Sequence, residues 1–219
     1  MTLDIGGIHR CWQHHLGDRW ASVNAMLRLS ARYGKPAMLS RWTYVDLLTY
    51  GWIDLKPSLV EILTVLDAPG CTVHIVDEKP TVDLHAVDVW NRPYYKTHAQ
   101  WSPENAELMH TIAYQWDGIW NGALKNPPQE HINLFHQRFP FAVQLGKQLD
   151  LFSIVTHLAH SLALFTIDSG MSHVARSVGT PMYLCKYQGD LDVTHRETVC
   201  TRCRDIPDAL EKYALTEPC

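Results

Sequence analysis

Asp168, Ser169, Gly170, Met171 and His173 lie in DSGMSHVARSVGTP, residues 168–181, directly after the apolar run LALFTI at 162–167. An acidic residue, a hydroxyl and a glycine at the exit of a buried strand are the parts of an anion site. A continuous apolar run of this length suits a strand of a parallel sheet that is covered on both faces. A short helix beginning near Met171 would then turn its free N–H groups and positive dipole end toward a phosphate. Gly179 and Pro181 stand where a C′ glycine and a following proline end such a helix. Ligands of open α/β sheets bind here, outside the carboxyl ends of the strands. Plain strand–helix packing is the ordinary alternative for the same pattern.

Asp18 is the second candidate. It is the only acidic residue between Ile5 and Val45, a window that also holds Arg10, Arg19, Arg28, Arg32, Lys35 and Arg41. A lone carboxylate among cations is biased toward its ionised form, as a general base requires. Its other reading is a side-chain cap on a helix over 19–33. Lys125, in the loop Lys125-Asn126-Pro127-Pro128, is a mobile point charge suited to phosphate, or else a solvated lysine. Residues 10–41 carry six cations against one aspartate, interleaved with Trp12, Trp20 and Tyr33, and Trp42 follows directly. That mixture suits phosphate contact and base stacking along a nucleic-acid strand, with Arg19, Arg28 and Arg32 as acceptor contacts. A solvated helix face, or a site for a phosphorylated glycan, fits it as well.

The 168–181 segment resembles the donor motif of the heptosyltransferase-like glycosyltransferases of the GT-B fold. Their pattern is Asp-Ser/Thr-Gly-x-x-His-x-Ala, followed by Gly-x-Pro after a short helix. Asp168, Ser169, Gly170, His173, Ala175, Gly179 and Pro181 fall in register with it. The resemblance implies an inverting, metal-independent transferase using a nucleotide-diphosphate sugar and needing no cofactor. It implies donor contacts from Lys125 and from Asp168 to Met171, a buttress from His173, and Asp18 of Gly17-Asp18 as base. Met171 replaces a frequent proline, Arg176 stands where a small residue is usual, and the tryptophan before the loop proline is missing. The resemblance is strong over 160–187, fair over 111–160 and thin over 1–40, and it barely reaches 41–110.

The partners implied are a nucleotide-sugar donor and an acceptor that is either a glycan or DNA. In the second case a sugar would be added to a hydroxymethylated base flipped into the site. The short chain would suit a compact viral genome. A nucleotide-sugar epimerase or hydrolase drawing on Asp117, His14 and His15, or a non-catalytic nucleotide binder, are the other classes.

With 219 residues and 46% hydrophobic content, the chain fits one large or two small globular domains. A formal net charge of −4 offers no global attraction to nucleic acid. No run of 18 apolar residues occurs, and the amino-terminal order is unlike a signal peptide's, so a cytoplasmic protein without membrane insertion is expected. Six cysteines are too scattered for a disulfide scaffold. Cys200-x-x-Cys203 is a single pair without a second, which by itself does not make a zinc site. His157 and His160 have helical spacing, with packing as their ordinary role.

The elements that must position these residues alternate. Strands are expected at 8–13, 37–40, 71–77, 111–116, 141–145, 162–167 and 182–187. Helices are expected at 19–33, from Pro57, from Pro128 to Arg138, at 151–160, from Met171 and at 207–213. The intervening 117–127 reads as a polar loop. This is an α/β chain of βαβ units with right-handed crossovers. The expected architecture is two small Rossmann-like parallel-sheet domains facing across a cleft, an acceptor-side domain over 1–108 and a nucleotide-sugar domain over 109–219.

Overall fold

The computed structural model describes residues 4–11, 16–43, 56–66, 68–82, 110–117, 119–120, 123–124, 126–146, 149–187 and 200–216. The chain divides into two compact units, Met1–Ala99 and Gln100–Cys219.

The first unit has a parallel three-stranded sheet of β1 (Ile8–Arg10), β2 (Ala37–Ser40) and β3 (Val73–Val76), in that order. Helix α1 (Leu16–Tyr33) links β1 to β2, and α2 (Lys56–Val65) lies between β2 and β3. α1 begins earlier than its periodicity predicts, so Leu16–Asp18 are helical rather than a turn. It is buried without interruption from Trp20 to Leu27, whereas Ala31 is exposed. The embedded hydroxyl of Ser22 donates to the carbonyl of Asp18 at 2.8 Å. Gly34 ends α1 with φ of 61°, a left-handed conformation in which a side chain is strained.

In the second unit all five main strands are parallel, in the order β10-β9-β8-β4-β7. They are β4 (Ile112–Gln115), β7 (Val143–Gln144), β8 (Ala163–Ile167), β9 (Met182–Cys185) and β10 (Cys200–Cys203). Counted along the chain, this is the 2-1-3-4-5 arrangement of doubly wound sheets, whose connections reverse direction between the first and third strands. Here that switch point lies between β4 and β8. Helices α3 (Gln129–Arg138) and α6 (Ile206–Ala214) pack together, as do α4 (Leu151–His160) and α5 (Gly170–Val178). The sheet is therefore covered on both faces, and β4, β8 and β9 are buried throughout.

Aromatic rings fill the layer beneath α3 and α6. Phe165 is stacked on Tyr183 with ring centres 4.9 Å apart, and it also touches Phe135, Phe139 and Tyr213. Each buried ring of this size contributes about 1.5–3 kcal/mol by leaving water.

Three expectations change. The loop over 117–127 contains an antiparallel pair, β5 (Ile119–Trp120) with β6 (Ala123–Leu124). The strand expected at 141–145 shrinks to Val143–Gln144, and Phe141 is 91% exposed in the turn before it. β10 was not expected, and it carries Cys200-x-x-Cys203 as an edge strand. Three steps along a strand reverse the side chain, which sends the two thiols to opposite faces from Cα atoms about 10 Å apart. Cys203 is buried beside Cys185 in the register, while Cys200 pairs with Met182. No helix of the described residues is long and apolar enough to cross a membrane.

Candidate functional site

β8 leaves the sheet at Ile167, Asp168 and Ser169 form the bend, and α5 begins at Gly170. The expectation of a strand, a turn and a helix starting near Met171 thus matches this segment. Gly170 is not a left-handed turn residue. Its backbone is already helical, and the positive-φ glycines described are Gly34, Gly70 and Gly179. Gly179 has φ of 83°, and its N–H bonds the carbonyl of Ala175 at 2.8 Å to end the helix.

The two neighbouring helices are capped in the ordinary way. Asp150 accepts the Ser153 N–H at 2.8 Å, and Asp205 accepts the Asp208 N–H at 2.9 Å. Ser169 stands at the N-cap of α5, yet its side chain makes no cap hydrogen bond. Its hydroxyl donates instead to Oε1 of Gln115, 2.7 Å away at the end of β4. The buried Thr166 hydroxyl lies 3.2 Å from the same oxygen. The Gln115 amide nitrogen donates to the carbonyl of Asp117. This pairing sets the amide's orientation, because a flipped group would bring its oxygen against a carbonyl.

The Ser172 N–H reaches the carbonyl of Ser169 at 3.1 Å, whereas the N–H groups of Gly170 and Met171 have no acceptor among the described residues. Two donors and the positive dipole end of a helix therefore open at the switch point of the sheet. This arrangement can take a diphosphate. Trp116, the residue after Gln115, is 4% exposed and packs edge to face on Phe135 in the aromatic layer, with ring centres 5.2 Å apart.

Asp168 in the bend and Met171 in the first turn of α5 are half-buried, and His173 is buried one turn into the helix. Arg176, where the resembling family has a small residue, is 2% exposed. Lys125, His14 and His15 lie outside the described residues. Gln115 and Thr166 were missed in the sequence. The one available signal was a glutamine inside the otherwise apolar strand segment IAYQW, since buried polar residues are the informative ones.

In the first unit Asp18 is half-buried in the first turn of α1, so it is not the cap of a helix that starts after it. The dipole end there favours a negative charge. Arg19 is half-buried. Burial lowers its pKa, while Cys11, Asp18 and Glu61 act in the opposite sense. Arg28 is half-buried and Arg32 exposed. Nine residues at about 100° each place Arg28 on the opposite side of α1 from Arg19. Arg32 is fourteen residues beyond Asp18, about 21 Å of helical rise. The structure therefore does not gather the three arginines around Asp18.

No protein-family model and no curated protein sequence matches the chain. Solved structures do. The E. coli ADP-heptose LPS heptosyltransferase II aligns at 13% identity over 95% of this chain and 97% of that one, with a TM-score of 0.54. The iron-containing dodecameric glycosyltransferase TibC of enterotoxigenic E. coli aligns at 11% identity over 92% of this chain, with a TM-score of 0.57. E. coli heptosyltransferase WaaC with ADP-2-deoxy-2-fluoro heptose aligns at 14% identity over 50% of this chain, with a TM-score of 0.38. The chain spans 63% of the TibC chain and 44% of the WaaC chain. At such identities the likeness is one of architecture, and the chain has the GT-B-type α/β fold of the heptosyltransferases.

Proposed function

We propose that the protein is a glycosyltransferase that moves a sugar from a nucleoside-diphosphate donor to an acceptor hydroxyl on a glycan. The observation that carries this reading is the uncapped start of α5 at the β4/β8 switch point, within the Asp168-Ser169-Gly170 segment. The amides of Gly170 and Met171 hold the diphosphate, with Asp168 closing the bend and His173 bracing the turn from within α5. Lys125 supplies a further positive charge. In the resembling family both Lys125 and Asp18 have counterparts, and their roles here rest on that register.

The chemistry is a displacement with inversion and without a metal. Asp18 takes the proton of the acceptor hydroxyl as its oxygen bonds to the anomeric carbon. The bond from that carbon to the diphosphate oxygen breaks, and the nucleotide leaves with the electron pair. Preorganised donors at α5 are most useful at this moment, because negative charge grows on the leaving diphosphate.

A TibC structure is described as a complex with ADP-D-β-D-heptose, at 10% identity and a TM-score of 0.50, which makes ADP sugars the first donors to test. A DNA acceptor would have to use arginines that are not gathered at one place, since Arg28 lies on the side of α1 opposite Arg19 and Arg32 is about 21 Å of helical rise from Asp18. The deciding experiment is nucleotide release from ADP sugars with and without a glycan acceptor. Release that depends on the acceptor supports the transferase. Acceptor-independent release points to a hydrolase, and binding without release to a nucleotide-binding module.

A further inference from the structure

We propose that Gln115 is a positioning residue that keeps the donor site open by holding the Ser169 hydroxyl away from the start of α5. The inference rests on the donor-site reading above. Serine at an N-cap ordinarily folds its oxygen onto the N–H groups of the second or third helical residue. Here that oxygen would compete with a diphosphate for the Met171 amide. The competition is avoided because Gln115 Oε1 accepts the Ser169 proton at 2.7 Å, across 54 residues of sequence.

The acceptor is itself held in place. Gln115 is 7% exposed, its amide nitrogen is committed to the Asp117 carbonyl, and the fully buried Thr166 packs a second hydroxyl against its oxygen. The serine therefore spends its one proton inside the protein. A ligand at the switch point is served by the backbone N–H groups of Gly170 and Met171. Such fixed donors need no reorganisation when the charge develops. The strand carrying the glutamine and the strand leading to the serine are the two that bound the switch point, so the contact forms only when β4 and β8 pair.

The test compares wild type with Gln115→Leu, Ser169→Ala and the double variant Gln115→Leu/Ser169→Ala. Leucine keeps the volume but accepts no hydrogen bond, which releases the serine to cap α5. Amide hydrogen exchange at Met171 and Ser172 should slow in Gln115→Leu and return to the wild-type rate in the double variant. ADP affinity should fall about 2- to 30-fold in Gln115→Leu, the equivalent of displacing a serine cap. It should recover in the double variant, where neither cap nor competitor exists. A glutamine that merely stabilised the fold would give no such recovery. Equal ADP affinity in wild type and Gln115→Leu, or unaltered exchange at both amides, overturns the role assigned to Gln115 while leaving the donor site standing. Wild-type protein that binds neither ADP nor UDP refutes the donor site, and with it any purpose for the glutamine, whatever the exchange rates show.

Discussion

Replacing Gly170 by valine separates the fold from the site. Gly170 opens α5 in ordinary helical backbone, so valine meets no left-handed strain there. Glycine is about 1 kcal/mol and valine about 0.6 kcal/mol less favourable than alanine in a helix, so the backbone change is worth under about 0.5 kcal/mol. The midpoint of thermal unfolding should then stay within about 2 °C of wild type, at about 2–4 °C per kcal/mol for a chain of this size. The ligand effect is much larger. A nucleotide at a hundred times its dissociation constant stabilises by roughly 2.7 kcal/mol, a rise of about 5–11 °C. Two methyl groups beside the first open amide block backbone approach to the diphosphate, so this rise should vanish in Gly170→Val. The assay is thermal unfolding of both proteins with ADP, GDP, UDP and CDP, supported by circular dichroism to show that the variant is folded. A folded Gly170→Val protein that keeps the full nucleotide-induced rise would refute the phosphate site, and the transferase reading with it.

Asp18→Asn should lose the dipole contribution of a first-turn carboxylate, about 0.3–1 kcal/mol in urea unfolding, together with its attraction to Arg19. Its acceptor-dependent nucleotide release should drop about 10²–10⁴-fold, and unchanged release per folded molecule would remove Asp18 as the base. Phe165→Ala should cost about 3–5 kcal/mol in urea, because Phe165 is 0% exposed at the centre of the aromatic layer. A loss well below that would mean the layer closes around the gap. His9 is buried with Nε2 2.7 Å from the Asp4 carbonyl and no partner for Nδ1 among the described residues, and burial lowers its pKa below 6.5. The unfolded chain therefore takes up a proton more readily, so this contribution is complete above pH about 6.5 and is lost as the pH falls toward the lower folded value. His9→Asn should flatten the stability profile between pH 7.5 and 5, at about the scale of one titrating group. An identical slope in the variant would show that other groups set it.

Most helices and central strands were legible in the residues alone. The stripe and stops of α3, α4 and α6 follow from side chains three and four apart and from local caps, which act over a single turn. The same holds for the Asp168–Pro181 segment, where an apolar run, a glycine start and the left-handed Gly179 define a strand, a bend and a helix with no help from elsewhere. β10 was hidden because CTRC has no apolar alternation of its own and becomes a strand by pairing along β9. The earlier start of α1 was hidden too, because the first turn of a helix has no periodicity to display.

What only the tertiary structure decided is which ends of the elements meet. A hydrophobic strand pattern states that a strand is buried but not beside which neighbour, since several strand orders bury the same residues equally well. The order β10-β9-β8-β4-β7 is a long-range choice, and it alone sets Gln115 against Ser169 and makes that strand end the switch point. In the first unit, a run of arginines that reads as one basic stretch is divided by the helical repeat, with Arg28 on the opposite side of α1 from Arg19. Residue types and local spacing thus determined the chemistry on offer. Strand pairing and helix rotation decided which groups can act together, because those depend on contacts between segments that are distant in the chain.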